Sequence, residues 1–132
     1  MRHYACGILK RDGRILLGKR AAHRRAYPLR WDVIGGRVED GETLEEALRR
    51  ELGEEIGIVP MSYELLGSVM DNDPRERGEA TYHMYRVPAW TGGKPVMMDN
   101  EHTELAWFTI EEACGLPDLA LAEYGDIFQL MA

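Results

Sequence analysis

The stretch Gly36-Arg37-Val38-Glu39-Asp40-Gly41-Glu42-Thr43-Leu44-Glu45-Glu46-Ala47-Leu48-Arg49-Arg50-Glu51-Leu52-Gly53-Glu54-Glu55-Ile56-Gly57-Ile58 carries the most regular helical periodicity in the chain. Asp40-Gly41 marks a turn. Thr43, followed three residues later by Glu46, has the spacing of a capping box, in which each side chain bonds the other residue's backbone N–H. A helix over 43–56 follows, with Gly57 as its C-terminal stop. On a wheel of about 100° per residue with Glu51 at zero, Ala47, Leu44, Leu48, Leu52 and Ile56 fill an arc from about −40° to about +140°. Glu55 falls inside this apolar arc at about +40°, beside Glu51, and Glu54 sits on its border at about −60°. A solvated acidic face explains most Glu-rich helices, yet it explains this one poorly. Like charges three and four residues apart repel, and ionised carboxylates beside a core are costly unless a cation compensates them. An oxygen-only ligand set favours Mg²⁺, with Mn²⁺ as a substitute. Arg50, one turn from both Glu46 and Glu54, is placed to hold one carboxylate and leave the others to metal. Gly35-Gly36 either makes a plain turn or brings backbone close enough for a freed carbonyl to complete a metal shell.

Outward from this segment, turn signals divide the chain into short elements. Apolar, β-rich stretches at 3–9 and 14–19 flank Asp12-Gly13, a hairpin signal. A short strand at 31–34 is expected to be broken by Gly35-Gly36. Further strands are expected at 63–70, 80–87 and 105–108, with turns at Asp71-Asn72-Asp73-Pro74 and Gly92-Gly93. A short helix over 110–114 follows, then Pro117, then a helix capped by Asp118 and reaching toward Gln129. No repeat or linker interrupts the 132 residues, so the expectation is one domain over 1–132, with a mixed sheet flanked by helices in an α/β or α+β arrangement.

Composition narrows the function. With 16 Lys plus Arg against 23 Asp plus Glu, a net charge of −7 argues against generic binding of nucleic-acid polymers, which depends on cations that neutralise phosphates. Cys6 and Cys114 are too few for a disulfide framework, redox pair or zinc cluster, and are expected to be reduced core thiols. No secretory apolar region or membrane-length run is present in the sequence, so a cytoplasmic protein is expected.

The pattern Gly36, five residues, Glu42, seven residues, then Arg50-Glu51-Leu52-Gly53-Glu54-Glu55-Ile56-Gly57-Ile58 resembles an intact Nudix box, and the chain length is similar to that of small MutT-like pyrophosphohydrolases. The resemblance implies a Nudix α/β/α sandwich with a mixed sheet between helices. It also implies metal-dependent hydrolysis of a nucleoside diphosphate linked to another moiety, most simply a nucleoside triphosphate giving a monophosphate and pyrophosphate. Position by position, Glu51, Glu54 and Glu55 match the box carboxylates, Gly35 would offer its carbonyl to the metal, and Arg50 would orient the helix. Glu42 would be a structural or outer-shell position and Gly36 would give the loop its turn. Glu101, six residues before Trp107, resembles the additional carboxylate of MutT-like enzymes, as metal ligand or base, with Glu104 as the weaker alternative. The expected chemistry has Glu51, Glu55 and Glu101 holding metal and Glu54 or Glu51 taking the proton from water.

Lys19, Arg20, His23, Arg24, Arg25 and Arg30 make a basic patch before the glycines. Arg20 resembles the arginine with which MutT-like enzymes hold the far phosphates, and Arg24 and Arg30 are the other candidate substrate contacts. Trp31, Tyr82, Tyr85 and Trp90 are base-stacking candidates, although strand aromatics usually serve the core. His83 and His102 lack zinc-ligand spacing. Ile34 stands where many relatives carry proline, and no signature of the ADP-ribose, coenzyme A or dinucleoside polyphosphate subgroups is evident. ADP-ribose, a nucleotide sugar or a dinucleoside polyphosphate are the alternative substrates, and a non-catalytic nucleotide-binding regulator is the alternative class. The prenyl diphosphate isomerases of this fold need a cysteine that neither Cys6 nor Cys114 matches. A homodimer is an open expectation.

Overall fold

The computed structural model describes residues 2–71 and 78–132. Ten elements run in the order β1 (Arg2–Arg11), β2 (Arg14–Arg20), β3 (Trp31–Asp32), β4 (Ile34–Arg37), α1 (Leu44–Ile56), β5 (Val59–Asp71), β6 (Ala80–Thr91), β7 (His102–Thr109), α2 (Ile110–Cys114) and α3 (Tyr124–Gln129). Seven strands form one mixed sheet with the path β3-β2-β1-β6-β5, to which β4 adds on β1 and β7 on β2. Among the described strands β1 and β6 pair in parallel, from Arg2 opposite Ala80 to Leu9 opposite Val87, and the other strand pairs are antiparallel. The turn expected at Asp71-Asn72-Asp73-Pro74 lies, from residue 72 on, outside the described residues.

Side-chain alternation along the strands supplies both faces of the sheet with apolar groups. Ala5, Leu9 and Leu16 point to the face covered by α1, where Ala47, Leu48, Leu52 and Ile56 close one core. Cys6, Ile8, Ile15 and Leu17 point to the other, where Ala113 of α2 and Tyr124, Ile127 and Phe128 of α3 close a second. Gly7 belongs to the α1 face, and a Cβ there would lie 2.9 Å from a Leu52 methyl, so the helix rests directly on β1 backbone. Cys6 is buried and Cys114 half-buried, and both are free. Among the described residues no helix is long and apolar enough to cross a membrane.

Thr43 caps α1 through the full reciprocal box with Glu46, and Gly57 ends it in the left-handed region at φ 70°. Two expectations need correction. Gly35-Gly36 does not break the strand but lies inside β4, antiparallel to β1, because a Cβ on Gly35 would stand 2.2 Å from the Ala5 carbonyl oxygen. Asp118 does not cap the last helix, which starts at Tyr124. Its carbonyl instead accepts from Trp31 N–H at 2.9 Å, while Ala120 N–H donates to Trp31, so the segment runs beside β3 before α3 begins.

Candidate active site

The acidic face of α1, the inner glycines of β4 and the loop entering β7 meet at a cavity of about 340 Å³. Glu51 and Glu55 reach it because they sit on the arc of α1 that faces the sheet, as the wheel requires. Gly36 accommodates Glu51: a Cβ there would stand 2.3 Å from the Glu51 carboxyl carbon. The role of Gly36 is therefore to leave room for a carboxylate, not to turn a loop.

Glu101 arrives from the opposite side. Val96 N–H donates to Ile56 and Met98 N–H to Glu55, at 3.2 and 3.0 Å, so the loop before β7 uses the otherwise unpaired carbonyls at the end of α1. Ala21 N–H donates to the Glu101 carbonyl at 2.9 Å, pinning the other side. This docking brings one carboxylate oxygen each of Glu55, Asp99 and Glu101 within 4.8 Å of one another. Asp99 escaped the sequence reading. Its signal is the Asp99-Asn100-Glu101 pattern, two acids on one loop, and Asp99 Oδ1 also accepts from Glu101 N–H at 3.1 Å.

Electrostatically the cluster is unfinished. Glu55 is 3% exposed, and its Oε2 has no hydrogen-bond partner among the described residues. Burial, then the hydrogen bond to Glu101 and the charge of Glu51, pushes the Glu55 carboxyl up to about 10. Burial likewise raises Glu51, against the lowering effect of Arg50. An orphaned buried carboxylate oxygen beside two further carboxylates, with no nitrogen or sulfur donor in the cluster, fits a hard divalent cation such as Mg²⁺ or Mn²⁺.

Arg50 builds the adjoining clamp. Its Nε and Nη2 donate to the two oxygens of Glu42 at 2.7 and 2.9 Å, Nη1 to Glu51 at 2.7 Å and Glu54 at 3.3 Å, and Nη2 also to the Arg37 carbonyl. The Arg50 guanidinium holds the Glu42 carboxyl down at about 2. Glu46, one turn away, is not a partner because the capping box occupies it.

The remaining candidates separate. Glu54 is exposed and stands outside the cavity lining, as does Glu104, which lies opposite Lys19 on the β2–β7 ladder. Gly35 lines the cavity. Arg20 lines it too, but Nη1 pairs with buried Asp32 at 3.1 Å and Nε donates to the Ala26 carbonyl, so much of its guanidinium is committed inside the protein. Arg24 pairs with Glu101 at 3.3 Å on the cavity wall. Arg30 does not reach the cavity, because the turn after Tyr27 leaves it exposed, with its backbone paired to Arg20 and Tyr27. Of the aromatics, Trp31 packs edge-on against Phe108 in the core, Tyr85 donates to Glu45, and Trp90 stacks on Trp107. Tyr82 alone of the four lines the cavity, stacked on Tyr4 at 4.8 Å between ring centroids. His102 is buried in the same wall.

Known proteins are similar to this chain along nearly its whole length. The NUDIX domain model covers residues 1–131. Nucleoside triphosphatase NudI of Escherichia coli K12 is 33% identical over 118 residues, which is 84% of this chain and 84% of that one. The crystal structure of a MutT Nudix hydrolase from Burkholderia pseudomallei superposes with a TM-score of 0.86 at 29% identity, over 99% of this chain and 98% of the other. The Nudix domain of Shewanella oneidensis NrtR, solved with ADP-ribose, shares the fold at TM-score 0.75 and 19% identity, covering 98% and 86%.

Proposed function

The chain belongs to the Nudix family as a MutT-like pyrophosphohydrolase, and from that premise we propose that it hydrolyses nucleoside triphosphates to a monophosphate and pyrophosphate with Mg²⁺ bound at its acidic cavity. One observation supports the metal above the others: Glu55 is buried, with Oε2 unpartnered, against Asp99 and Glu101. Similarity to a nucleoside triphosphatase supports the substrate.

In this reading Glu55, Asp99, Glu101 and Glu51 would hold the ion, and Gly35, which lines the same cavity, would add its carbonyl as a further oxygen donor. When bound, Mg²⁺ or Mn²⁺ supplies charge neutralisation for the phosphates and acidifies water. The residues do the rest. Arg50 fixes Glu51 through Oε1, leaving Oε2 outside that ion pair to accept the proton of the attacking water. Attack at phosphorus breaks one P–O–P bridge, and the departing pyrophosphate takes the bridging oxygen. Glu54, exposed beside Arg50, is the alternative proton acceptor and needs a rotamer change to reach the cavity. Arg24, 3.3 Å from Glu101 on the cavity wall, is positioned to exchange that carboxylate for a substrate phosphate. Tyr82 and Tyr4 offer an aromatic wall for the base, while Arg20 shapes the wall by holding Asp32.

The test is product analysis with Mg²⁺, Mn²⁺ or chelator across nucleoside triphosphates, ADP-ribose, nucleotide sugars and dinucleoside polyphosphates. Chelator-sensitive release of pyrophosphate from triphosphates is expected. Release of orthophosphate alone, turnover confined to another substrate class, or nucleotide binding without turnover would overturn it.

A further inference from the structure

A second and larger cavity, of about 800 Å³, lies on the other side of Arg37, which lines both. Its walls are the loop that carries Glu39, Asp40 and Glu42 and the ends of β1 and β6 that carry His3 and His83. Neither histidine has a place in the chemistry above. Parallel pairing sets His83 opposite Ala5 and His3 opposite Thr81, so the two rings are diagonal neighbours on one face. They stack at 5.2 Å between centroids, with His3 Nδ1 3.0 Å from His83 Nε2. Ser68 Oγ lies 3.1 Å from the other nitrogen of His83 and orients that ring from β5.

Two imidazole nitrogens bound cis to one ion, each at about 2.0–2.1 Å, stand about 2.9–3.4 Å apart for angles between about 90° and 109°. The observed separation of 3.0 Å, at which one ring donates an N–H to the other, lies within that interval, so a shift of that proton to the donor ring's other nitrogen leaves two nitrogens at a spacing that a shared ion spans. Ser68 then plays the outer partner that ligating histidines ordinarily have. The facing wall carries charge of both signs, Arg2 and Arg37 beside Glu39, Asp40 and Glu42. Glu39 and Glu42 are turned to Arg50, but Asp40 enters no ion pair among the described residues.

We propose that His3 and His83, oriented by Ser68, form a second metal site for a borderline divalent ion, Zn²⁺ being its probe, separate from the hard-cation site at Glu55. Ligand chemistry sorts the two ions: imidazole suits Zn²⁺, whereas the all-oxygen cluster suits Mg²⁺. A bound ion would tie the first residues of β1 to β6 beside the loop that anchors Arg50.

The experiment is calorimetric titration of Zn²⁺ into the full chain in excess Mg²⁺, which occupies the carboxylates. One Zn²⁺ per chain is expected, with affinity weakened at least about tenfold by His83→Gln and by His3→Gln and by less in Ser68→Ala, while His23→Gln, at an exposed histidine elsewhere, leaves it unchanged. Circular dichroism confirms that each variant folds. If His83→Gln does not, the exposed His3→Gln decides alone. Absence of Zn²⁺ binding in excess Mg²⁺, unchanged affinity in His3→Gln, or loss of binding in Glu55→Gln but not in the histidine variants would overturn the proposal.

Discussion

Two acidic regions share the helix α1 and meet opposite fates. Around Arg50, the carboxylates of Glu42, Glu51 and Glu54 close on a guanidinium within 3.3 Å, and Glu42 ionises at about 2. One turn further on, Glu55 meets Asp99 and Glu101, Arg24 reaches only Glu101, and among the described residues no cation pairs with Glu55, whose carboxyl is pushed up to about 10. The difference teaches where the molecule is finished and where it is waiting. A carboxylate cluster with a built-in arginine is structure, whereas the same chemistry left uncompensated stores a demand for an ion from solution. Glu51 belongs to both regions, fixed by the one and facing the other.

The comparison breaks most sharply at that shared residue. Glu51→Gln keeps the shape and a hydrogen bond to Arg50 but removes the proposed base and a proposed metal oxygen, and should lower kcat by about 10²–10⁴ in steady-state assays. Unchanged kcat in Glu51→Gln with loss in Glu54→Gln would move the base to the exposed carboxylate. Arg50→Ala dismantles the finished region, so it should lower both kcat and melting temperature, the latter by several degrees, and Arg50→Lys should restore little because one ammonium cannot replace the bidentate contact to Glu42. Gly36→Ala forces the Glu51 carboxylate aside, since the new Cβ would stand 2.3 Å from it. The expected outcome is a folded protein by circular dichroism, with turnover reduced at least about tenfold, in the range lost when a catalytic group is misplaced by an ångström.

Acid and base separate the two regions by sign. Glu55 has a folded value above its ordinary 4.5, so its contribution to stability is fully present below about 4.5 and is lost as pH rises toward about 10. Glu42 has a folded value below 4.5, so its contribution is present above that pH and is lost as pH falls through about 2. Metal-free protein should therefore lose melting temperature between pH 5 and pH 9, and Mg²⁺ or Glu55→Gln should flatten that slope. A slope that survives in Glu55→Gln would place its origin elsewhere. The smallest effect is expected at Arg24, whose half-buried pair with Glu101 faces the cavity: Arg24→Ala should raise KM several-fold and leave kcat nearly intact.

Local chemistry makes the helix and its carboxylates legible in the sequence alone. The capping box at Thr43, the stop at Gly57 and the intrusion of Glu51 and Glu55 into an apolar arc depend only on residues within a few turns of one another. What escaped depends on distant partners. The glycines of β4 looked like a turn because the Ala5 backbone and the Glu51 carboxylate that exclude a Cβ there come from other elements. Asp99 was missed because its role is made by loop residues bonding the end of α1, which no spacing rule reports. Arg20 and Arg30 carried the right charge in the right stretch, but Asp32 claims the first and an exposed turn removes the second.

The parallel pairing of β1 with β6 also bears on how the chain is made. Arg2 waits for Ala80 and Leu9 for Val87, so during synthesis β1 has no neighbour on that side until the chain has grown 78 residues past it. The hairpin to β2 and the α1 helix can form early from near neighbours, but the centre of the sheet closes late, across a large loop. Both cores are assembled on β1, and the acidic cluster comes later still, because Asp99 and Glu101 follow β6 in the chain.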